Sequence, residues 1–218
     1  MKKYVFIVLF LALLLSITLW KALTIDEELI VPGKRVGRVT ANSSEQELIL
    51  LFGKQNVIRD TIHVCDGYDG PGTVVYPNDE LHNMLIVWTD TKKYRYPEFV
   101  IIRGSRSAYR TREGVSLGTT MKELEKLNGK PFSFYGFEWD FQGLILDWGG
   151  GKLGYQRELT EAEDSGSMSV SLTLGNTDNV PWEEISTIIG DKVVSSQDKT
   201  AQKLNPTVNN ILVNLKRK

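Results

Sequence analysis

One stretch occurs twice in this chain, and the duplication limits the fold more than any other feature. The first copy runs Ser43-Ser44-Glu45-Gln46-Glu47-Leu48-Ile49-Leu50-Leu51-Phe52-Gly53-Lys54 and the second Thr119-Thr120-Met121-Lys122-Glu123-Leu124-Glu125-Lys126-Leu127-Asn128-Gly129-Lys130. The hydroxyl pair, Glu-Leu, Leu, Gly and Lys recur 76 residues apart, and Val39 and Val115 match upstream. Each copy reads as a short helix with its own start and stop. A Ser or Thr side chain accepts a bond from an early backbone N–H, and the closing Gly takes the left-handed conformation that ends the helix. Ser43 with Gln46, or Ser44 with Glu47, forms a capping box in the first copy, and Thr120 with Glu123 forms one in the second. Leu48 with Leu51, and Leu124 with Leu127, make the i, i+3 stripe that must be buried. A repeat of this length is one supersecondary unit duplicated.

Lys2 and Lys3 precede an apolar run from Tyr4 to Trp20, 17 residues at the short edge of what spans a bilayer. Cations before an apolar run mark export, with the cationic end left in the cytoplasm. Residues 1–21 therefore read as a signal anchor or a signal peptide. The best candidate cleavage site, Ala22-Leu23-Thr24, is poor, while Trp20 and Lys21 suit an outer interface. The anchored form would face the periplasm from the inner membrane, and a cleaved form would be released into the periplasm. No Cys adjoins the run, which excludes lipid anchoring at a cleavage site. Residues 22–34, with Asp26, Glu27, Glu28, Pro32 and Gly33, read as a tether.

The chain holds 26 Lys+Arg against 27 Asp+Glu, a net charge of −1, and without Lys2 and Lys3 the balance falls to −3. A nucleic-acid binder would need a clearly basic face, so that class is excluded. Cys65 is the single cysteine, and no intrachain disulfide can form. The fold must stand on its hydrophobic core.

After each helix the sequence turns to strands. In the first unit, residues 35–104, Asn56–Asp66 alternates, Asp66–Gly72 is turn chemistry, and Thr73–Tyr76, Met84–Trp88 and Phe99–Ile102 follow as strands. In the second, residues 105–218, Leu144–Trp148 aligns with Leu85–Trp88 as an apolar central strand, and Met168–Leu174 alternates cleanly. An acidic loop spans Glu158–Gly166. Pro181–Gly190 reads as a short helix, and Ile211, Val213 and Leu215 lie on a last strand that completes the second sheet. The expected class is α+β: two tandem helix-plus-antiparallel-sheet units behind an N-terminal hydrophobic helix.

Chemistry is sparse. His63 and Cys65 are neighbours on one strand face and would make a thiol–imidazole pair for a hydrolase or transferase. No third group to orient the imidazole is identifiable, and a surface His beside a small half-buried Cys is the favoured reading of the pair. Asp66–Gly70 lacks the alternate ligand spacing and closing Glu of a calcium loop. Gly149-Gly150-Gly151-Lys152-Leu153-Gly154 matches G-x-G-x-x-G, but no amphipathic helix follows to hold a pyrophosphate. No metal or cofactor is expected. Arg103, Arg106, Arg110 and Arg112 at the joint either grip an anionic group or form a solvated linker. Phe132, Phe134, Tyr135, Phe137, Trp139 and Phe141 crowd ten residues. Tyr135, Phe137, Trp139 and Phe141 would share one strand face, as a binding platform or as core packed on the Leu124/Leu127 stripe. Trp139 is expected to be mostly buried and Tyr135 the more exposed.

A capped helix ended by Gly and followed by an antiparallel sheet, twice over, resembles the beta-lactamase inhibitor protein fold. The run Gly118, Thr119, Glu123, Leu124, Leu127, Gly129, Lys130, Pro131 is similar to exported proteins of the Bacteroidetes type, as is Ser195-Ser196 through Leu204-Asn205-Pro206-Thr207-Val208. The resemblance covers residues 36–215. It implies a non-enzymatic envelope protein that binds a protein or peptide, with Tyr135, Phe137, Trp139, Arg106 and Arg110 as candidate contacts. It transfers no inhibitory residues.

Overall fold

The computed structural model describes residues 26–65, 68–154 and 168–215. The apolar run at 4–20, the turn at Asp66 and Gly67, and the acidic loop at Glu158–Gly166 lie outside the described residues. Among the described residues no helix is long and apolar enough to cross a membrane.

The two predicted helices form with the expected caps. In α1 (Glu45–Phe52) Ser44 accepts from Glu47 N while the Glu47 carboxylate accepts from Ser44 N. In α2 (Met121–Asn128) Thr120 and Glu123 do the same. The Thr120 backbone N–H, and after it the Thr120 hydroxyl, hold the Glu123 carboxyl below its ordinary range. Backbone contacts repeat at the same offset. Ser43 N donates to Thr40 O (3.0 Å) and Thr119 N to Ser116 O (3.2 Å); Gly53 N donates to Ile49 O (3.0 Å) and Gly129 N to Glu125 O (2.9 Å). Val39 and Val115, and Leu48 and Leu124, are fully buried. The predicted stripe holds only in part, because Leu51 is left partly exposed.

The strands are β1 (Leu29–Val31), β2 (Arg35–Val36), β3 (Val39–Thr40), β4 (Val57–Cys65), β5 (Tyr68–Val75), β6 (Met84–Asp90), β7 (Arg95–Arg103), β8 (Arg110–Thr111), β9 (Ser133–Tyr135), β10 (Ile145–Asp147), β11 (Met168–Thr173), β12 (Val193–Ser195) and β13 (Thr207–Asn214). The described residues also hold two further short α-helices, α3 (Trp182–Ile185) and α4 (Lys199–Leu204), and 3-10 turns at Lys54–Asn56 and Ser186–Ile188. The class is α+β.

The last strand does not close a sheet of its own. It pairs antiparallel with β7, Asn210 opposite Arg103 through Asn214 opposite Phe99, giving one six-stranded sheet in the order β11-β13-β7-β6-β5-β4. β7 and β13 hold the same place in the two copies. Tyr96 N donates to Ser43 O (3.0 Å) as Val208 N does to Thr119 O (2.9 Å), and Glu45 N to Tyr94 O (2.9 Å) as Met121 N does to Pro206 O (2.7 Å). Their antiparallel pairing places a pseudo-twofold between the second and third of the sheet's six strands. The Leu144–Trp148 strand is short and lies in a small sheet, β10-β9-β12, that meets β11 through a bridge between Leu144 and Ser171. A third small sheet, β3-β2-β1-β8, spans the joint.

One core runs through both copies: Trp88, Ile86, Ile102, Ile211, Met168, Val170, Leu48, Leu124, Phe134 and Phe137 belong to a single buried cluster. Of the stretch expected as turn chemistry, Asp66–Gly72, the described part from Tyr68 to Gly72 is strand, the start of β5. Pro71 is tolerated because β6 pairs with β5 only from Gly72 onward, so no neighbour needs the missing N–H. On the sheet's second face Ile62, Val74, Val87 and Ile101 form a smaller cluster. The Arg103 guanidinium reaches from β7 to the His63 carbonyl (3.3 Å), so the β4–β5 hairpin curls over that face. Gly72 permits the curl, since a Cβ there would overlap Ile62 Cγ1 and the Ile86 carbonyl.

Candidate functional site

The aromatic row does not share a strand face. Its strand, β9, ends at Tyr135, and the chain then turns through Gly136 and Gly143 with positive φ at Glu138 (65°), Phe141 (62°) and Gly143 (65°). Period-2 alternation stops where the strand stops. Phe137 is 2% exposed and packs on the fully buried Phe134, ring centroids 5.7 Å apart. Trp139 is 61% exposed and Phe141 62% exposed. Tyr135 is half-buried, its ring 6.0 Å from Phe141. The expected order is thus reversed, with Trp139 outside and Tyr135 partly inside.

The turn is held rigidly. Gln142 N donates to Trp139 O (3.0 Å), Leu144 N to Phe141 O (2.9 Å) and Gly143 N to Tyr135 O (3.1 Å). Its base is fixed to the neighbouring loop, where Phe137 N donates to Ile188 O (3.0 Å) and Gly190 N to Phe137 O (2.9 Å). Trp139 Nε1 lies 3.6 Å from where a Cβ of Gly190 would stand. Val193, opposite Tyr135 on β12, is 64% exposed. Tyr135 lies beside Phe141 and opposite Val193, and Trp139 is exposed on the same turn, so the turn presents apolar side chains on a fixed frame. Trp and Tyr offer large contact area with few rotors, so such a frame binds at low entropic cost.

The arginines at the joint are engaged within the chain. Arg106 Nη2 lies 2.9 Å from Glu80 Oε2. Arg110 pairs with Glu28 (2.8 Å) and Asp26 (3.4 Å), stapling the segment before β1 to the joint. An anion would have to displace those carboxylates, so Arg106 and Arg110 are not brought to the aromatic surface as a ready anion grip. Burial lowers the Arg103 guanidinium pKa.

At the β4–β5 hairpin His63 Nδ1 lies 2.7 Å from Asp69 Oδ1. Sequence reading found no such carboxylate, because the contact follows from the pairing of His63 with Asp69 across the hairpin. The Cys65 side chain lies outside the described residues. Among the described residues no three His, Cys, Asp or Glu side chains converge to hold a metal ion. No family model, curated protein or solved structure matches the chain.

Proposed function

We propose that the chain is a non-enzymatic protein of the cell envelope, anchored by residues 4–20 in the inner membrane and facing the periplasm, that binds a protein or peptide. The observation that carries this reading is the rigid turn presenting Trp139 and Phe141 to solvent beside Tyr135 and Val193. Soluble proteins seldom leave such a patch uncovered without a binding role. In this reading the finer architecture is two tandem copies on the beta-lactamase inhibitor protein plan, supported by the repeated caps and the equivalent strands β7 and β13.

Trp139→Ala removes no core packing and should leave the melting temperature within about 2 °C of the parent. Binding should weaken by roughly 30-fold or more if Trp139 is an anchor. A photo-crosslinking residue at position 141 in growing cells should give a discrete adduct that Trp139→Ala abolishes. An adduct indifferent to that change would sink the reading.

One observation favours a second reading, a thiol hydrolase or transferase using Cys65 with His63. Asp69 supplies the carboxylate that orients an imidazole in such sites. Iodoacetamide labelling across pH decides it: a thiol that reacts only near the free value of ~8.5 is not an activated nucleophile.

A further inference from the structure

The exposed turn at Trp139 stands in a local excess of carboxylate. Glu138 and Asp140 flank Trp139 in the chain, and Asp191 follows Gly190, whose N–H donates to Phe137 O (2.9 Å); all three acids are exposed. The turn, residues 136–143, and the loop that holds it, residues 186–193, carry one cation between them, Lys192. Its ammonium is drawn back to the Thr187 and Ser186 carbonyls (3.1 and 3.4 Å).

The other lysines of this half are matched or lie elsewhere. Helix α4 touches the loop where Thr187 Oγ1 bonds Thr200 Oγ1 (3.2 Å), but its Lys203 pairs with Glu184 (2.9 Å) and its Lys199 follows Asp198. Lys130 and Lys152 stand beyond the Ser133 end of β9, where Lys152 N donates to Asn128 O (2.9 Å). The whole chain is balanced to −1, so three carboxylates against one ammonium is a property of this surface.

Trp139 meets Gly190 at the edge of its ring, Nε1 and Cδ1 lying 3.6 and 3.9 Å from where a Cβ would stand. With 61% of the residue exposed, an indole face is open. Such a face attracts a cation through its quadrupole, and a carboxylate beside it adds charge-assisted hydrogen bonds. The chain already uses that combination internally. The Arg59 guanidinium lies 3.9 Å over the Tyr94 ring while its Nε and Nη2 donate to Glu45 (2.9 and 2.6 Å). Among the described residues the rings covered by a guanidinium are Tyr94 and Tyr96, so the Trp139 face is left to a partner.

We propose that the turn takes an arginine from a basic segment of a protein partner, its guanidinium over the Trp139 indole and in the field of Glu138, Asp140 and Asp191. This rests on the reading of the turn as a protein-binding surface. Phe141 and Tyr135 then receive the apolar side chains next to that arginine.

The test uses the full chain in nonionic detergent, labelled with 5-fluorotryptophan, the Trp139 signal being assigned by its loss in Trp139→Phe. The probes are the peptide acetyl-Gly-Leu-Arg-Ser-Arg-Leu-Gly-amide and its versions with Gln or Glu in place of both Arg. The Arg peptide should move the Trp139 signal at about tenfold lower concentration than the Gln peptide, the sum expected of one exposed cation–π contact and one or two exposed ion pairs. Raising the salt from about 0.05 M to about 0.5 M should remove most of that preference. Glu138→Gln with Asp140→Asn and Asp191→Asn should remove it as well, in protein that melts within about 2 °C of the parent because all three positions are exposed. A Trp139 signal moved equally by the three peptides, or by none of them, overturns the proposal. In growing cells the triple variant should lower the yield of the position-141 crosslink by about tenfold. An adduct of parental yield in the triple variant overturns this proposal alone, whereas no adduct in the parent overturns the binding reading and this proposal with it.

Discussion

Trp88→Ala should destabilise the protein by ~3–5 kcal/mol, a large part of the ~5–15 kcal/mol that holds a domain together. Trp88 is 1% exposed in the core beneath α1. It also begins a polar chain. Its indole N–H donates to Thr73 Oγ1 (2.9 Å), and the Thr73 hydroxyl donates to Glu45 Oε1 (3.2 Å). The Glu45 carboxylate accepts from Arg59 Nε and Nη2 (2.9 and 2.6 Å), and the Arg59 guanidinium stacks 3.9 Å over Tyr94. Truncation leaves a cavity and removes the donor facing a fully buried hydroxyl. Trp88→Phe fills most of the volume and loses the bond alone, which should cost about 1 kcal/mol. For a body of this size the Ala variant should melt roughly 6–20 °C lower, and circular dichroism should rank Ala below Phe below parent. A Phe variant as damaged as the Ala variant would place the effect in the polar chain and not in packing.

What the sequence shows clearly is what neighbouring residues decide. Ser44 with Glu47 and Thr120 with Glu123 are three residues apart, and both boxes form because the partners meet within one helical turn. The α4 helix was hidden because it is six residues long, though Asp198 caps it through Thr200 N and Ala201 N and Asn205 ends it at φ 48°. β1, β2, β3 and β8 are two or three residues each, too short for any period to register. The joining of the copies was illegible for another reason. Whether β13 closes its own sheet or pairs with β7 depends on partners more than a hundred residues apart, and either pairing buries the same Ile211 and Val213. Alternation predicts one face for the aromatic row only as far as the strand runs, and β9 ends at Tyr135. Asp69 was missed because it meets His63 only across a hairpin.

Gly143→Ala should cost about 2–5 kcal/mol and act on both the fold and the proposed binding surface. Gly143 has φ 65°, where an L side chain is strained by ~1–2 kcal/mol. A Cβ would also lie within 2.7 Å of the Leu172 carbonyl carbon, against backbone that has no rotamer to change. Overpacking of that kind adds ~1–3 kcal/mol. The contact is the seam between the small sheet and β11. Leu172 N donates to Gly143 O (2.9 Å), and Leu144 bridges to Ser171 beside it. Pushing this seam apart shifts the turn that holds Trp139 and Phe141, because Gly143 N also donates to Tyr135 O (3.1 Å). The variant should therefore lose stability and the position-141 crosslink together, whereas Trp139→Ala loses the crosslink alone. Hydrogen exchange separates the two effects: in Gly143→Ala the Leu172 amide should lose protection, while amides of the β7–β13 pair keep theirs until global unfolding. Full protection at Leu172 with normal crosslinking would show that the seam yields without consequence, and that the turn is held by the Ile188–Gly190 contacts instead.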